Sequence, residues 1–119
     1  MAKIMIADDS AFMRKIVRDI LEKLGHKDII EAVNGKEAID KYKSDKPDLV
    51  MLDIIMPDIS GIDVLRSLIE GDKNAKVIMV TAFGQDAMVK ECNTLGAKGY
   101  ILKPLDERKV AEAIKNVLG

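Results

Sequence analysis

The run Leu49-Val50-Met51-Leu52, ended by Asp53, constrains the fold of this chain more than any other stretch. Its residues are apolar without alternation, so both faces of the segment must be covered, as in a strand inside a parallel sheet. The following residues, Ile54-Ile55-Met56-Pro57-Asp58-Ile59-Ser60-Gly61, carry Pro and Gly and read as a loop. Asp53 is therefore expected at the carboxyl end of a central strand, on the edge of an open α/β sheet where ligands bind. Asp is also an ordinary first residue of a solvated loop. Asp53 taken alone does not separate the two readings.

The rest of the chain repeats the theme. Ile4-Met5-Ile6-Ala7 is a second apolar run that ends in acid, Asp8-Asp9, and Ser10 then suits a helix N-cap. Phe12, Ile16, Val17, Ile20, Leu21 and Leu24 follow at helical spacing, with Gly25 as terminator. Asp28-Ile29-Ile30-Glu31-Ala32-Val33 is a weaker strand, broken by acids. Asn34-Gly35-Lys36-Glu37 opens a second helix with Glu three residues after the cap, and Ala38, Ile39 and Tyr42 give it an apolar face. Ser60 can cap a helix through Ile62, Leu65, Leu68 and Ile69, and Lys76-Val77-Ile78-Met79-Val80-Thr81 is a further apolar strand. Residues 85–95 read as a helix closed by Gly96. Lys98-Gly99-Tyr100-Ile101-Leu102-Lys103 reads as a fifth strand before Pro104, and Asp106 caps a last helix carrying Val110, Ala113, Ile114, Val117 and Leu118.

Strand and helix alternate five times, which predicts a parallel sheet with helices on both faces. Strands one, three and four are purely apolar, whereas two and five are mixed. The order 2-1-3-4-5 places the apolar strands inside, the mixed ones at the edges, and the switch point between strands one and three.

Composition closes off other classes. A chain of 119 residues is enough for one domain. The formal net charge of −1 offers no bulk attraction to nucleic acid or to an anionic membrane. No apolar run approaches the roughly 20 residues of a membrane span. The start, Met1-Ala2-Lys3, leads straight into a strand-like run with no signal-peptide layout. Cys92 is the single cysteine, which fits a reducing cytoplasm and a small buried hydrophobe.

All five strands of a parallel sheet end on one edge, so Asp8, Asp9, Asp53, Thr81 and Lys103 are expected in one shallow crevice. About three clustered carboxylates repel one another and call for a cation. Without clustered His or Cys the donor set favours a hard ion, Mg²⁺ above all. Lys103 and Thr81 suit the oxygens of a transferring phosphoryl group, and a carboxylate can serve as its nucleophile. Blander readings exist: Asp8-Asp9 as complements of a helix dipole, Lys103-Pro104 as a plain strand exit, Thr81 and Tyr100 as ordinary strand residues.

The acid pair in "ADDSAFMR", "VMLDIIMP" with a Gly soon after, "VTAFG" and "YILKP" together resemble the response-regulator receiver domain, along the whole chain and in the family's order and spacing. The resemblance implies a flavodoxin-like (βα)₅ doubly wound parallel sheet and a single receiver domain over 1–119 with no effector domain. It implies that Asp53 accepts the phosphoryl group, that Asp9 binds Mg²⁺ directly, that Asp8 reaches it mainly through water, and that the Ile55 backbone carbonyl is another ligand. Thr81 and Lys103 would contact phosphoryl oxygens, Tyr100 matches the family's aromatic switch position, and the Lys103-Pro104 bond is usually cis. Two positions that border the phosphoryl group in this family, Ile55 and Phe83, are apolar here, where many members carry a polar residue.

The function so implied is that of a phosphorelay signalling protein rather than an enzyme. Its expected partners are a histidine kinase of the CheA type, a motor switch or adaptor protein of a flagellar or archaellar apparatus in chemotaxis, and a phosphatase. It is expected to act as a cytoplasmic monomer. A stand-alone receiver in a non-chemotaxis relay and a phosphorylation-independent binding module are the alternatives. A phosphatase with an aspartate nucleophile needs a second acid two residues on, where Asp53 has Ile55 and Asp8 has Ser10. A dinucleotide or P-loop site needs a Gly-rich turn, where strand one is followed by Asp8-Asp9-Ser10-Ala11.

Overall fold

The structure, a computed structural model, describes residues 2–119; Met1, expected to lead into the first strand, lies outside the described residues. Ten elements alternate: β1 (Ile4–Ala7), α1 (Ala11–Lys23), β2 (Ile29–Ala32), α2 (Gly35–Asp45), β3 (Leu49–Leu52), α3 (Gly61–Gly71), β4 (Val77–Thr81), α4 (Asp86–Leu95), β5 (Gly99–Leu102) and α5 (Glu107–Leu118). The strands form one parallel sheet in the order β2-β1-β3-β4-β5. The alternation predicted this parallel sheet with helices on both faces, and the flavodoxin-like (βα)₅ fold that the resemblance implies is the one found. Strand burial explains the order: β1, β3 and β4 are buried at every position, while β2 and β5 keep partly exposed residues. Among the described residues, no helix is long and apolar enough to cross a membrane.

Because successive strand residues face opposite sides, the sheet divides two cores. Met5, Ala7, Val50, Leu52, Val77 and Met79 pack with Ala38 of α2, with Val64, Leu65 and Leu68 of α3, and with Cys92 of α4. Ile4, Ile6, Leu49, Met51, Ile78, Val80 and Ile101 pack with Val17 and Leu21 of α1 and with Val110 and Ile114 of α5. Cys92 is fully buried and free, and burial pushes its thiol up. Phe12 departs from the expected α1 face and is 74% exposed. It stands five residues before Val17, about 140° round the helix at roughly 100° per residue.

Local capping starts four of the helices where the sequence places them. Ser10, Asn34, Ser60 and Asp106 each accept a hydrogen bond from a main-chain N–H inside the first turn. Glu37 reaches back to the Val33 N–H at 3.2 Å, so the α2 start is satisfied from both directions. Helix α4 is preceded by Gln85, whose side chain makes no capping bond.

The loop after β3 is held by a close approach at Gly61. Its N–H donates to the Ile54 carbonyl at 2.6 Å. A Cβ there would lie 1.9 Å from the Asp53 carbonyl oxygen and 2.7 Å from Ile54 Cα. Only glycine lets α3 begin against the main chain of Asp53. Gly61→Ala is expected to cost at least the ~1–3 kcal/mol typical of overpacking, read as a lower urea midpoint. Gly71→Ala, at a position with no neighbour within 4 Å, should leave the midpoint unchanged or slightly higher. Equal midpoints for the two variants would contradict the packing described.

Candidate functional site

The sheet register sets the acids side by side. Ala7 pairs with Leu52, and Leu52 with Met79, so Asp8 and Asp53 leave neighbouring strands at the same level. The Asp53 N–H donates to the Ala7 carbonyl at 3.0 Å. Thr81 pairs with Leu102, and the next residue, Lys103, donates its N–H to the Thr81 carbonyl at 2.8 Å. The Lys103–Pro104 peptide that follows is cis.

The Lys103 ammonium lies between the two carboxylates, 3.0 Å from Asp8 Oδ2 and 3.0 Å from Asp53 Oδ2. The three side chains are only 17%, 6% and 10% exposed, so these charges are little screened by solvent. Burial opposes the ammonium charge. The hydrogen bonds it donates to Asp8 and Asp53, with their negative charges, outweigh it and hold Lys103 above the ordinary lysine value. The other oxygens are also engaged: Asp8 Oδ1 accepts from the Ser10 N–H at 2.9 Å, and Asp53 Oδ1 from the Ile54 N–H at 2.7 Å.

Asp9 is exposed at the rim. One carboxylate oxygen from each of Asp8, Asp9 and Asp53 nevertheless falls within 4.8 Å of the others. Against three carboxylates, one ammonium leaves about two negative charges uncompensated. The donor set is oxygen alone, which fits a hard divalent ion such as Mg²⁺ and not a thiolate- or imidazole-seeking metal.

Thr81 and Tyr100 meet at a different point. Thr81 is fully buried, and its Oγ1 accepts the Phe83 N–H at 3.3 Å. Tyr100 is half-buried, and its hydroxyl donates to the Phe83 carbonyl. The two side chains thus bond the two main-chain polar groups of one residue. Burial pushes the Tyr100 phenol up. The side chains of Ile55 and Phe83 stand exposed, at 56% and 37%.

Two residues of the site, Arg14 and Asp58, carry no role that their place in the sequence motifs implies. Arg14 Nη1 donates to the Asp8 carbonyl at 2.8 Å while its Nε bonds Glu31 Oε1 at 2.8 Å. The spacing of Arg14 and Arg18, four apart and facing an acid-broken strand, is the available signal. Asp58 accepts from the Gly35 and Lys36 N–H groups at 2.8 and 2.9 Å, tying the loop after Asp53 to the start of α2. The bonds from Lys36 and Gly35 hold its carboxyl below the usual range. Nothing in Pro57-Asp58-Ile59 distinguishes this from a turn residue.

Five parallel strands with acids, hydroxyl and lysine at one edge describe the response regulator receiver domain, and the profile of that family matches residues 4–115. The chain belongs to this family. Among curated proteins it is similar to the chemotaxis protein CheY of Thermotoga maritima, 46% identical over 97% of this chain and 96% of the relative. It is also similar to CheY of Bacillus subtilis, 45% identical over 98% and 97%. Among solved structures it resembles the CheY chain of the CheX–CheY–BeF₃–Mg²⁺ complex of Borrelia burgdorferi. That likeness has a TM-score of 0.96 and 42% identity, covering 99% of this chain and 90% of the other.

Removing Lys103 leaves two buried carboxylates facing each other without their cation. Lys103→Met in metal-free buffer at neutral pH is expected to lose about 3 kcal/mol, the low end for breaking a buried pair by one partner. Urea unfolding in the presence of a chelator measures it, and a wild-type midpoint would refute the bridge.

Proposed function

We propose that this chain is the phosphoryl-accepting switch of a chemotaxis relay, cytoplasmic and monomeric, with a receiver domain spanning 1–119. The observation that carries the reading is the Lys103 bridge between Asp8 and Asp53 beside the three-carboxylate cluster. The naming of close relatives as CheY supports the chemotaxis assignment.

In the transfer, an Asp53 carboxylate oxygen attacks phosphorus of a phosphohistidine on a CheA-type kinase. The new O–P bond forms as the N–P bond breaks, and the imidazole nitrogen leaves with the electron pair and takes up a proton. Asp9, Asp8, Asp53 and the Ile55 carbonyl would hold Mg²⁺, which supplies positive charge against the phosphoryl oxygens. Lys103 stays beside Asp53 and bonds a phosphoryl oxygen, and the Ile54 N–H keeps the other Asp53 oxygen fixed. The chain acts on its own carboxylate and so works as a signalling protein. A phosphatase returns it to the resting state, and the apolar Ile55 and Phe83 form the rim past which water must approach.

Output follows from the Phe83 connection. Phosphorylation adds roughly −1.5 to −2 charge at Asp53. Thr81 turns its hydroxyl toward that charge and gives up the Phe83 N–H, and Phe83 transmits the change to Tyr100. Taking the active state from 1:99 to 99:1 needs about 5.5 kcal/mol of preference, which two or three charge-assisted bonds at ~1.5–3 kcal/mol each supply. The receiving partner is a motor switch or adaptor protein, docking on α4, β5 and α5; the CheX–CheY assembly of Borrelia burgdorferi is a precedent for a separate protein binding such a chain.

With a small phosphodonor and Mg²⁺, the wild type is expected to gain one base-labile phosphoryl group by mass spectrometry and Asp53→Asn none. An adduct of full strength on Asp53→Asn would place the acceptor elsewhere. Thr81→Ala and Tyr100→Phe should still be phosphorylated, because Asp53, Lys103 and the acid pair remain. Both should bind the downstream partner at least tenfold more weakly than phosphorylated wild type, about 1.4 kcal/mol. Wild-type binding by both would remove the Thr81–Phe83–Tyr100 route.

A further inference from the structure

Asp8 and Asp9 share one peptide plane, because the Asp8 carbonyl and the Asp9 N–H belong to the same rigid unit. Arg14, in the first turns of α1, donates to that carbonyl and to Glu31 at once, each at 2.8 Å. Glu31 lies on edge strand β2, where its second oxygen accepts from Arg18 Nε at 2.8 Å and its carbonyl from Lys41 Nζ at 2.6 Å. On the other side of Asp8, its N–H donates to the carbonyl of Ala32, the residue after Glu31, at 3.1 Å. Both main-chain groups of Asp8 are thus fastened to adjacent residues of β2.

Arg14 is only 14% exposed, unlike the loose surface pairs that contribute little. Its planar fork serves two acceptors in fixed directions, which a lysine ammonium does not. Burial works against the Glu31 charge, but the bonds from Arg18 and Arg14 hold its carboxyl below the usual range, so it stays an anion at neutral pH. The Asp8 carboxylate has its own fixed partners in Ser10 and Lys103. The exposed Asp9 carboxylate still falls within the acidic cluster, and the place of its Cβ is set by the main chain that carries it.

We propose that Arg14 is a positioning residue of the phosphoryl site. Held by Glu31, it fixes the Asp8–Asp9 peptide and so directs the Asp9 carboxylate into the acidic cluster. This rests on the receiver reading of that cluster, with Asp9 as a metal ligand.

The test is calorimetric titration with Mg²⁺ of the full chain and of Arg14→Met, which keeps the apolar stem and removes every donor. The dissociation constant is expected to rise about tenfold, the lower end of the range for partners that orient metal ligands. Glu31→Ala should raise it less. The double variant should be no weaker than Arg14→Met, since both changes act through one contact. In metal-free protein the Asp9 amide resonance should move in Arg14→Met, as its peptide carbonyl loses a charged donor; a merely structural loss would not single it out. A folded Arg14→Met with wild-type Mg²⁺ affinity overturns the proposal. Should that variant fail to fold, Glu31→Ala decides, and wild-type affinity with an unmoved Asp9 amide overturns it equally. A wild type that itself takes up no Mg²⁺ overturns the reading of the cluster as a metal site, and the proposal with it. A wild type that binds Mg²⁺ beside unaffected variants overturns the proposal alone.

Discussion

The ammonium of Lys103, set between the carboxylates of Asp8 and Asp53, is the interaction on which the rest of this structure turns. It joins residues 95 and 50 positions apart, so it exists only when β1, β3 and β5 all end at one edge in register. Its energy is conditional. Desolvating three charges is costly, and their attraction offsets that cost only where the remaining oxygens are hydrogen-bonded, as the Ser10 and Ile54 N–H groups ensure. A charge balance of this kind is sensitive to any charge added beside it.

The fold supplies the rigidity that such a balance demands. Apolar strands covered on both faces fix β1 and β3 in the middle of the sheet, and each core contributes from its own set of alternate residues. Gly61 lets α3 start in contact with the Asp53 main chain. Asp58 ties the same loop to α2, and Arg14 ties the Asp8–Asp9 turn to β2. The carboxyl edge of the sheet is therefore built from loops, yet these loops are fastened to neighbouring elements and hold their side chains in fixed positions.

Much of this was legible in the sequence because it depends on one-dimensional pattern. Unbroken apolar runs in strands one, three and four gave their interior positions, and the acids ending two of them located the functional edge. The fifth strand, expected to run to Lys103, proved shorter by that residue, and Asp53 likewise lies just beyond β3, because both charged side chains turn into the carboxyl edge where the ladder stops. What pattern does not encode is contact between distant polar groups. The bonds of Arg14 to the Asp8 carbonyl and of Asp58 to the α2 N-terminus use main-chain partners, which carry no residue identity. Phe12 was misplaced for the opposite reason: an aromatic at approximate helical spacing suggests a core face, but its angle from Val17 leaves it in solvent. The junction of Thr81 and Tyr100 at Phe83 was hidden because both bonds are made to a peptide group.

Lys103 is a charged bridge to two buried carboxylates, so its titration depends on the charge at Asp53. Carbon-13 NMR of the lysine Cε groups measures this directly, following Lys103 through an alkaline titration in metal-free buffer. Its midpoint is expected above the ordinary value of 10.5. The charged form of Lys103 adds to folding stability below the unfolded-state midpoint, and that stability is lost as pH rises through the higher folded one. Asp53→Asn should lower the midpoint, and beryllofluoride with Mg²⁺ should shift the Lys103 resonance in the wild type alone. An ordinary midpoint, indifferent to Asp53→Asn and to beryllofluoride, would contradict the account.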